Sequence, residues 1–412
     1  MIKFDKTTLA NGLKVIVHQD KSTPIVAMNI IYKVGSRDET PEKTGFAHLF
    51  EHLMFGGSVN IPKYDTPLQN AGGENNAFTN NDFTDYYLTL PKSNLETAFW
   101  LESDRMLSLA FSEKSLKVQR QVVVEEFKQN YLNQPYGDVY LLLKPLAFKK
   151  HPYRWNTIGK EISHIENATM EEVKDFYSRY YNPDNAILSI AGNVDADDIY
   201  KLSEKWFGGI KSGGNHKNIY DKEPVQLEDR ELTVERRVPQ NAVYFAWLMD
   251  ERNSPGFYIT DLISDILSNG NSSRLFDRLV KERKMFSELN AFVSGDIDNG
   301  LFIISGKLIN GFTADEAEAA IDEQLDELKT KLVNDEELEK VKNKIEANLV
   351  FSSLSVLNKA MNLAYYELLE DALLLNKEKE NYAAVSKSDI REKAKALFAQ
   401  GKKNKLVYLA KN

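Results

Sequence analysis

One order of secondary-structure signals occurs twice in the sequence, once in each half. Runs rich in β-branched residues begin at Leu13 and Ile25, and they predict a pair of strands. A second pair of strands is predicted from the runs that begin at Glu231 and Asn241. A repeat that fills half of a 412-residue chain is much longer than a solenoid repeat of ~20–50 residues. The pattern therefore indicates two duplicated domains.

Both halves also end on a predicted helix followed by a strand. The helix of the first half opens with the capping box Thr169–Glu172, and the matching helix begins near Ser388. The strands that follow begin at Asn185 and Asn404. Strands and long amphipathic helices without regular alternation favour the α+β class. We expect two homologous domains, each a mostly antiparallel sheet packed with helices.

A polar, glycine-rich stretch from Gly208 to Asn218 separates the two halves, which is typical of a linker. The length of the chain suits two or three domains at ~150 residues each. We predict a first domain over residues 1–212, a linker over 213–228 and a second domain over 229–412.

Composition limits the kinds of partner and site. The chain has 52 basic and 61 acidic residues, a net charge of -9, which disfavours a nucleic-acid surface. Because it has no cysteine, disulfides and cysteine-ligated zinc are excluded, so any metal must use His, Asp or Glu. No apolar run is long enough to span a membrane. With no signal for export at the start, we expect the cytoplasm, and the periplasm if a leader has been removed.

Two histidines and a glutamate form the motif His48-x-x-Glu51-His52. On a helix, residues four apart lie on one face, so both imidazoles can reach one zinc ion at ~2.0–2.1 Å. Pro41 suits the first turn of such a helix, and Gly56 ends it. Glu51 lies ~100° round the helix from the second ligand, which suits a general base acting on a zinc-bound water. The alternative is two helix-surface histidines beside an ordinary glutamate.

A catalytic zinc ion takes three protein ligands and keeps one position open, so a third ligand is needed. A predicted helix offers the adjacent carboxylates Glu125 and Glu126. Glu126 lies on the face of Val122 and Val123, whereas Glu125 lies on a polar face. Burial of a lone carboxylate is costly unless it has a partner such as a metal ion. We therefore predict Glu126 as the third ligand, with Glu125 solvated or supporting.

These residues resemble the inverted-zincin metallopeptidases, which include pitrilysin, insulin-degrading enzyme and the mitochondrial processing peptidase. Three longer segments are similar to family segments and occur in the same order, namely Gly45–Gly57, Gly72–Tyr87 and His151–Gly159. The resemblance covers the whole first half and extends to the second half through Asn271–Phe276. It implies a zinc-dependent endopeptidase in which Glu51 is the base, and it implies the same three metal ligands.

The resemblance also implies how substrate binds. A peptide or small unfolded polypeptide would add a strand to a sheet edge at Asn76, Ala77 and Phe78 inside a closed chamber. The two domains together would form one half of a clamshell. The alternative for this segment is a strand and turn without a binding role.

The chain departs from the family in its second half and beside the third ligand. Active single-chain members carry an Arg and a Tyr that bind the substrate carbonyl, and this sequence has Val280 and Ser287 at those positions. Gln119 stands where members often carry another acidic residue. The resemblance therefore implies a heterodimer with a homologous subunit that supplies the Arg/Tyr pair, and a homodimer is the alternative. A second reading is a non-catalytic scaffold of the same family.

Overall fold

The structure is a computed structural model that describes residues 1–214 and 218–411, and it divides into two compact units. Residues 215–217 of the predicted linker lie outside the described residues. The strands are β1 (Asp5–Thr8), β2 (Lys14–Gln19), β3 (Ile25–Tyr32), β4 (Glu74–Thr79), β5 (Thr84–Pro91), β6 (Ala186–Gly192), β7 (Arg230–Arg236), β8 (Ala242–Leu248), β9 (Phe286–Val293), β10 (Leu301–Leu308) and β11 (Asn404–Ala410).

The two sheets share a five-strand topology, and the first sheet has one additional edge strand. The first sheet has the order β1-β2-β6-β3-β5-β4, and the second has the order β7-β11-β8-β10-β9. From β2 onward the first sheet follows the order of the second strand by strand. Each sheet has one parallel pair, β2 with β6 and β7 with β11, and every other pairing is antiparallel. The predicted α+β class with two mostly antiparallel sheets is confirmed.

The helices cover both sheets. They are α1 (Phe46–Met54), α2 (Asp65–Asn70), α3 (Leu95–Leu107), α4 (Glu113–Phe127), α5 (Val139–Ala147), α6 (Ile162–Glu166), α7 (Met170–Tyr180), α8 (Ala196–Phe207), α9 (Pro255–Ser268), α10 (Ala314–Thr330), α11 (Asp335–Ser352), α12 (Val356–Leu369), α13 (Glu378–Ala384) and α14 (Lys387–Leu397). The capping box predicted at Thr169 and Glu172 starts α7. No helix in the described residues is long and apolar enough to cross a bilayer.

The compact units differ from the predicted domains in two segments. The first unit comprises residues 1–128, 155–220 and 350–377, and the remaining segments form the second unit. Helix α5 belongs to the second unit because Leu143 packs with Leu406 and Ala246. Helix α12 belongs to the first unit because Leu363 packs with Ile31. A boundary at 213–228 thus separates the two sheets, but it does not separate the two units.

Helix α1 begins later than the sequence predicts. Pro41 lies before the helix, because Thr40 and Lys43 form a bridge that closes a turn there. Gly45, at φ 90°, is the N-cap, and the first helical residue is Phe46. The helix ends at Met54, just before the predicted Gly56. The motif therefore occupies a helix of only nine residues.

A carboxyl group on β5 is buried without a charged partner among the described residues. Asp85 is 1% exposed, and it accepts a hydrogen bond from the side-chain amide of Asn29, which is also buried. Burial raises the pKa of Asp85 to about 8, and the Asn29 hydrogen bond opposes that rise. The buried carboxyl group is therefore held in its neutral form at neutral pH.

We expect Asp85→Asn to change how stability depends on pH. The unfolded state ionises near pH ~3.9 and the folded state near pH 8, so wild-type stability falls by about 1.4 kcal/mol per pH unit between these values. The stabilising contribution of Asp85 is complete below pH ~4 and is lost above pH 8. As pH rises from 5 to 8, the free energy of unfolding of wild type should fall by roughly 3–4 kcal/mol relative to that of Asp85→Asn. Urea unfolding of both proteins across this pH range measures the difference. Parallel pH profiles for the two proteins would contradict this assignment.

Candidate active site

Helix α1 is amphipathic, and its polar face carries the whole predicted motif. Its buried face holds Phe46, Ala47, Leu49, Phe50, Leu53 and Met54. His48 and His52 lie one turn apart on the opposite face of the helix. The Nε2 atoms of the two imidazoles lie 3.3 Å apart. The apolar positions therefore fix the helix against the core and leave both imidazole nitrogens pointing at one place.

Helix α4 brings the third predicted ligand to the same place. The Oε2 atom of Glu126 lies 3.7 Å from His48 Nε2 and 3.5 Å from His52 Nε2. The side chain of Glu126 is 34% exposed, whereas that of Glu125 is 71% exposed and pairs with Lys128 at 2.8 Å. The structure thus brings Glu126 to the histidines and turns Glu125 to solvent.

The donor set fits a zinc ion. Tetrahedral zinc with ligands at ~2.05 Å separates neighbouring donor atoms by about 3.3 Å, close to the three distances between His48, His52 and Glu126. Two imidazoles and one carboxylate also leave the fourth position open for a substrate or water. Across residues 1–214 and 218–411, this is the one group of three His, Asp or Glu residues with ligand atoms within 4.8 Å of one another.

The charges of His48 and Glu126 also suit a divalent cation. Burial lowers the pKa of His48 to about 4, and the nearby Glu126 opposes that shift. The hydrogen bond with His52 lowers the pKa of Glu126. At neutral pH the site therefore presents a neutral imidazole and an ionised carboxylate, which are the forms that bind metal. The Nδ1 atom of His48 is buried and has no hydrogen-bond partner among the described residues.

Glu51 lies beside this triad and is held by the edge strand. Its Oε2 atom accepts a hydrogen bond of 2.7 Å from the hydroxyl of Thr79, at the end of β4. The hydroxyl of Thr84 in turn donates to the carbonyl of Val34 at 2.9 Å and lies 3.3 Å from that of Thr79. Burial raises the pKa of Glu51, and the Thr79 hydrogen bond opposes that rise. Sequence reasoning missed Thr79, because its contact with Glu51 joins two elements that are distant in the chain.

Strand β4 is the last strand of its sheet, so one side of its backbone has no neighbouring strand within that sheet. The amide of Asn80 bonds to the carbonyl of Phe83 at 3.0 Å. In an antiparallel ladder the bonded residues alternate, so Asn76 and Phe78 face β5 and Ala77 faces the free edge. The amide of Ala77 donates to the side-chain oxygen of Asn76 at 2.8 Å. Of the three predicted substrate contacts, Ala77 offers its backbone outward.

The described residues of the second unit form no equivalent site. Ile259, Leu262 and Ile263 stand on α9 where the motif residues stand on α1, and all three pack into or against the core of that unit. Val280 also packs against this core, and the hydroxyl of Ser287 donates to the side chain of Gln240 at 2.9 Å. These two side chains offer neither a cation nor a phenol.

A His-x-x-Glu-His helix that faces a carboxylate from a second helix defines the inverzincin class of site. Residues 14–159 match the family described as Insulinase (Peptidase family M16), and residues 167–345 match the Peptidase M16 inactive domain. The chain belongs to the peptidase family M16.

Relatives of the chain carry names that agree with this family. The Helicobacter pylori protein named zinc protease PqqE is 30% identical over 407 residues, covering 96% of this chain and 90% of that protein. A probable mitochondrial-processing peptidase subunit beta of Schizosaccharomyces pombe is 26% identical, covering 73% of this chain and 68% of that protein. The crystal structure of a protease from Helicobacter pylori has a TM-score of 0.94 and 29% identity, covering 99% of this chain and all of that one.

Proposed function

We propose that this chain is a zinc-dependent endopeptidase subunit that hydrolyses peptides or small unfolded polypeptides. The observation that carries the proposal is the convergence of His48, His52 and Glu126, whose donor atoms lie 3.3–3.7 Å apart. These three residues would hold Zn²⁺, and Glu51 lies on the same helix face without being needed as a ligand.

A zinc ion held by these three residues would supply Lewis acidity, which lowers the pKa of a water molecule towards neutrality and polarises a carbonyl group. The carboxylate of Glu51 accepts the proton of the attacking water and delivers it to the nitrogen of the leaving amine. Thr79 keeps the Glu51 carboxylate in place through its hydrogen bond. The free edge of β4 binds the extended peptide through main-chain groups at Ala77, so recognition depends on the substrate backbone more than on its side chains.

A homologous subunit that supplies an Arg/Tyr pair is the partner we propose. Val280 and Ser287 offer no cation or phenol to an oxyanion, and removal of one such donor costs about 100- to 1,000-fold in rate. The relative from Schizosaccharomyces pombe is named as one subunit of a processing peptidase. The alternative, a non-catalytic scaffold, is favoured by those two replacements and opposed by the intact metal and base residues.

The test is cleavage of quenched fluorescent peptides by the purified chain, alone and mixed with a homologue that carries the Arg/Tyr pair. We expect internal cleavage that a chelator abolishes, that added zinc restores, and that the partner raises by about 100-fold or more. Full activity of the chain alone, unchanged by the partner, would refute the heterodimer. Zinc binding without cleavage in any mixture would favour the scaffold.

A further inference from the structure

The helix that carries the motif has no capping side chain of its own. The first four amide groups of an α-helix have no partner within the helix, and an N-cap side chain usually accepts one or two of them. The N-cap of α1 is Gly45, which has no side chain and adopts the left-handed conformation at φ 90°. The amides of the first turn therefore need an acceptor from another part of the chain.

Glu39 supplies that acceptor from outside the helix. Its Oε2 atom accepts the amide of Gly45 at 2.9 Å, and its Oε1 atom accepts the amide of Ala47 at 2.8 Å. Glu39 is only 8% exposed, and it forms no ion pair with any described residue. Burial raises the pKa of Glu39, and the hydrogen bonds from the amides of Ala47 and Gly45 oppose that rise. Because a buried carboxyl group is costly unless it is hydrogen-bonded, both oxygens are committed to the start of α1.

The loop that carries Glu39 is fixed in place. The guanidinium of Arg37 pairs with the carboxylate of Asp82 at 2.7 Å. The indole nitrogen of Trp155 donates to the carbonyl of Ser36 at 2.8 Å. Glu39 therefore holds the first turn of α1 from a rigid support.

The first turn matters because it contains a predicted metal ligand. His48 is the third residue of the nine-residue helix, so its orientation depends on the turn that begins at Gly45. A frayed first turn would move the His48 imidazole away from His52 and Glu126, whereas His52, in the last turn, would stay. Short helices have little stability of their own, so the cap decides whether this turn persists.

We propose that Glu39 is a positioning residue that holds His48 in the geometry needed for zinc binding. The inference rests on the proposed function, because it assumes that the triad of His48, His52 and Glu126 binds zinc. Glu39 acts through the backbone of α1 and contacts neither metal nor substrate.

The test is the zinc affinity of the full chain, measured by competition with a chromophoric chelator, for wild type and Glu39→Gln. Glutamine keeps one acceptor oxygen but turns an amide donor towards the second backbone amide, so one bond is lost. We expect zinc to bind about 10- to 100-fold more weakly, the range seen when a group that supports a ligand is lost. Glu39→Asp, which shortens the side chain by one methylene, is the second variant. Its zinc affinity should lie between those of wild type and Glu39→Gln.

Thr313→Ala is the matched control. Thr313 caps α10 by accepting the amide of Glu316 at 3.2 Å, so its loss removes a cap from a helix of the second unit, whereas the motif belongs to the first. We expect the control to lower the melting temperature without changing zinc affinity. In a His48→Ala background, Glu39→Gln should cause no further loss of zinc affinity.

The outcomes separate the two proposals. Wild-type zinc affinity in folded Glu39→Gln and Glu39→Asp would overturn the role of Glu39 and leave the proposed function standing. Equal weakening of zinc binding in Thr313→Ala would also overturn the role of Glu39, because the loss of zinc affinity would then reflect a general loss of stability. Failure of the wild-type chain to bind zinc at all would instead refute the proposed function.

Discussion

Glu51→Gln is expected to bind zinc as tightly as wild type and to hydrolyse peptides about 100- to 10,000-fold more slowly, the usual contribution of a general base. Glutamine has nearly the shape of glutamate but cannot accept a proton at neutral pH. Glu51 is not among the three donors that converge, so the metal site should be unaffected. The loss should appear in kcat and in kcat/KM alike, because proton transfer occurs only in the transition state.

Metal content and steady-state kinetics on the same preparation check this expectation, in the presence of the partner subunit. Glu125→Gln, an exposed glutamate paired with Lys128, is the control and should behave as wild type. Retained turnover in Glu51→Gln would remove Glu51 from its role as base. Loss of bound zinc in that variant would indicate that Glu51 is a metal ligand instead of the base.

The second large effect is expected from Glu126→Ala, compared with its neighbour Glu125→Ala. Removal of one of three ligands should weaken zinc binding by more than the ~10- to 100-fold that loss of a supporting group costs. The two glutamates are adjacent on one helix, yet only the Oε2 atom of Glu126 lies within 3.5–3.7 Å of the imidazoles. Titration with zinc, followed by competition with a chelator, measures both affinities.

The comparison of the two glutamates is informative because both variants remove one negative charge from the same helix. Equal zinc affinity in both alanine variants would exclude Glu126 as a ligand. A larger loss of zinc affinity in Glu125→Ala would show that Glu125, and not Glu126, is the metal ligand.

Those parts of the fold and site that depend on local sequence could be predicted. The spacing of His48 and His52 sets their separation on any helix, and their nitrogens lie 3.3 Å apart in the structure. The duplicated strands follow from β-branched runs, and β8 and β11 begin within one residue of Asn241 and Asn404. The side of α4 that faces the site follows from Val123, which is fully buried. Val122, which the sequence argument placed on the same apolar face, is 44% exposed, so only one of the two valines marks that face.

Features that depend on contacts distant in sequence could not be predicted. Helix α1 starts at Phe46, where the distant Glu39 accepts the amide of the N-cap residue Gly45, and composition does not predict that contact. The position of α12 depends on which sheet offers a complementary apolar face. Likewise, Thr79 reaches Glu51 only once β4 lies beside α1.

The most direct test of the central claim is a crystal of the chain soaked in zinc and measured at the zinc absorption edge. We predict one strong anomalous peak, within ~2.0–2.2 Å of His48 Nε2, His52 Nε2 and a carboxylate oxygen of Glu126. No peak at these atoms, or a peak that persists at full height in Glu126→Ala, would contradict the account.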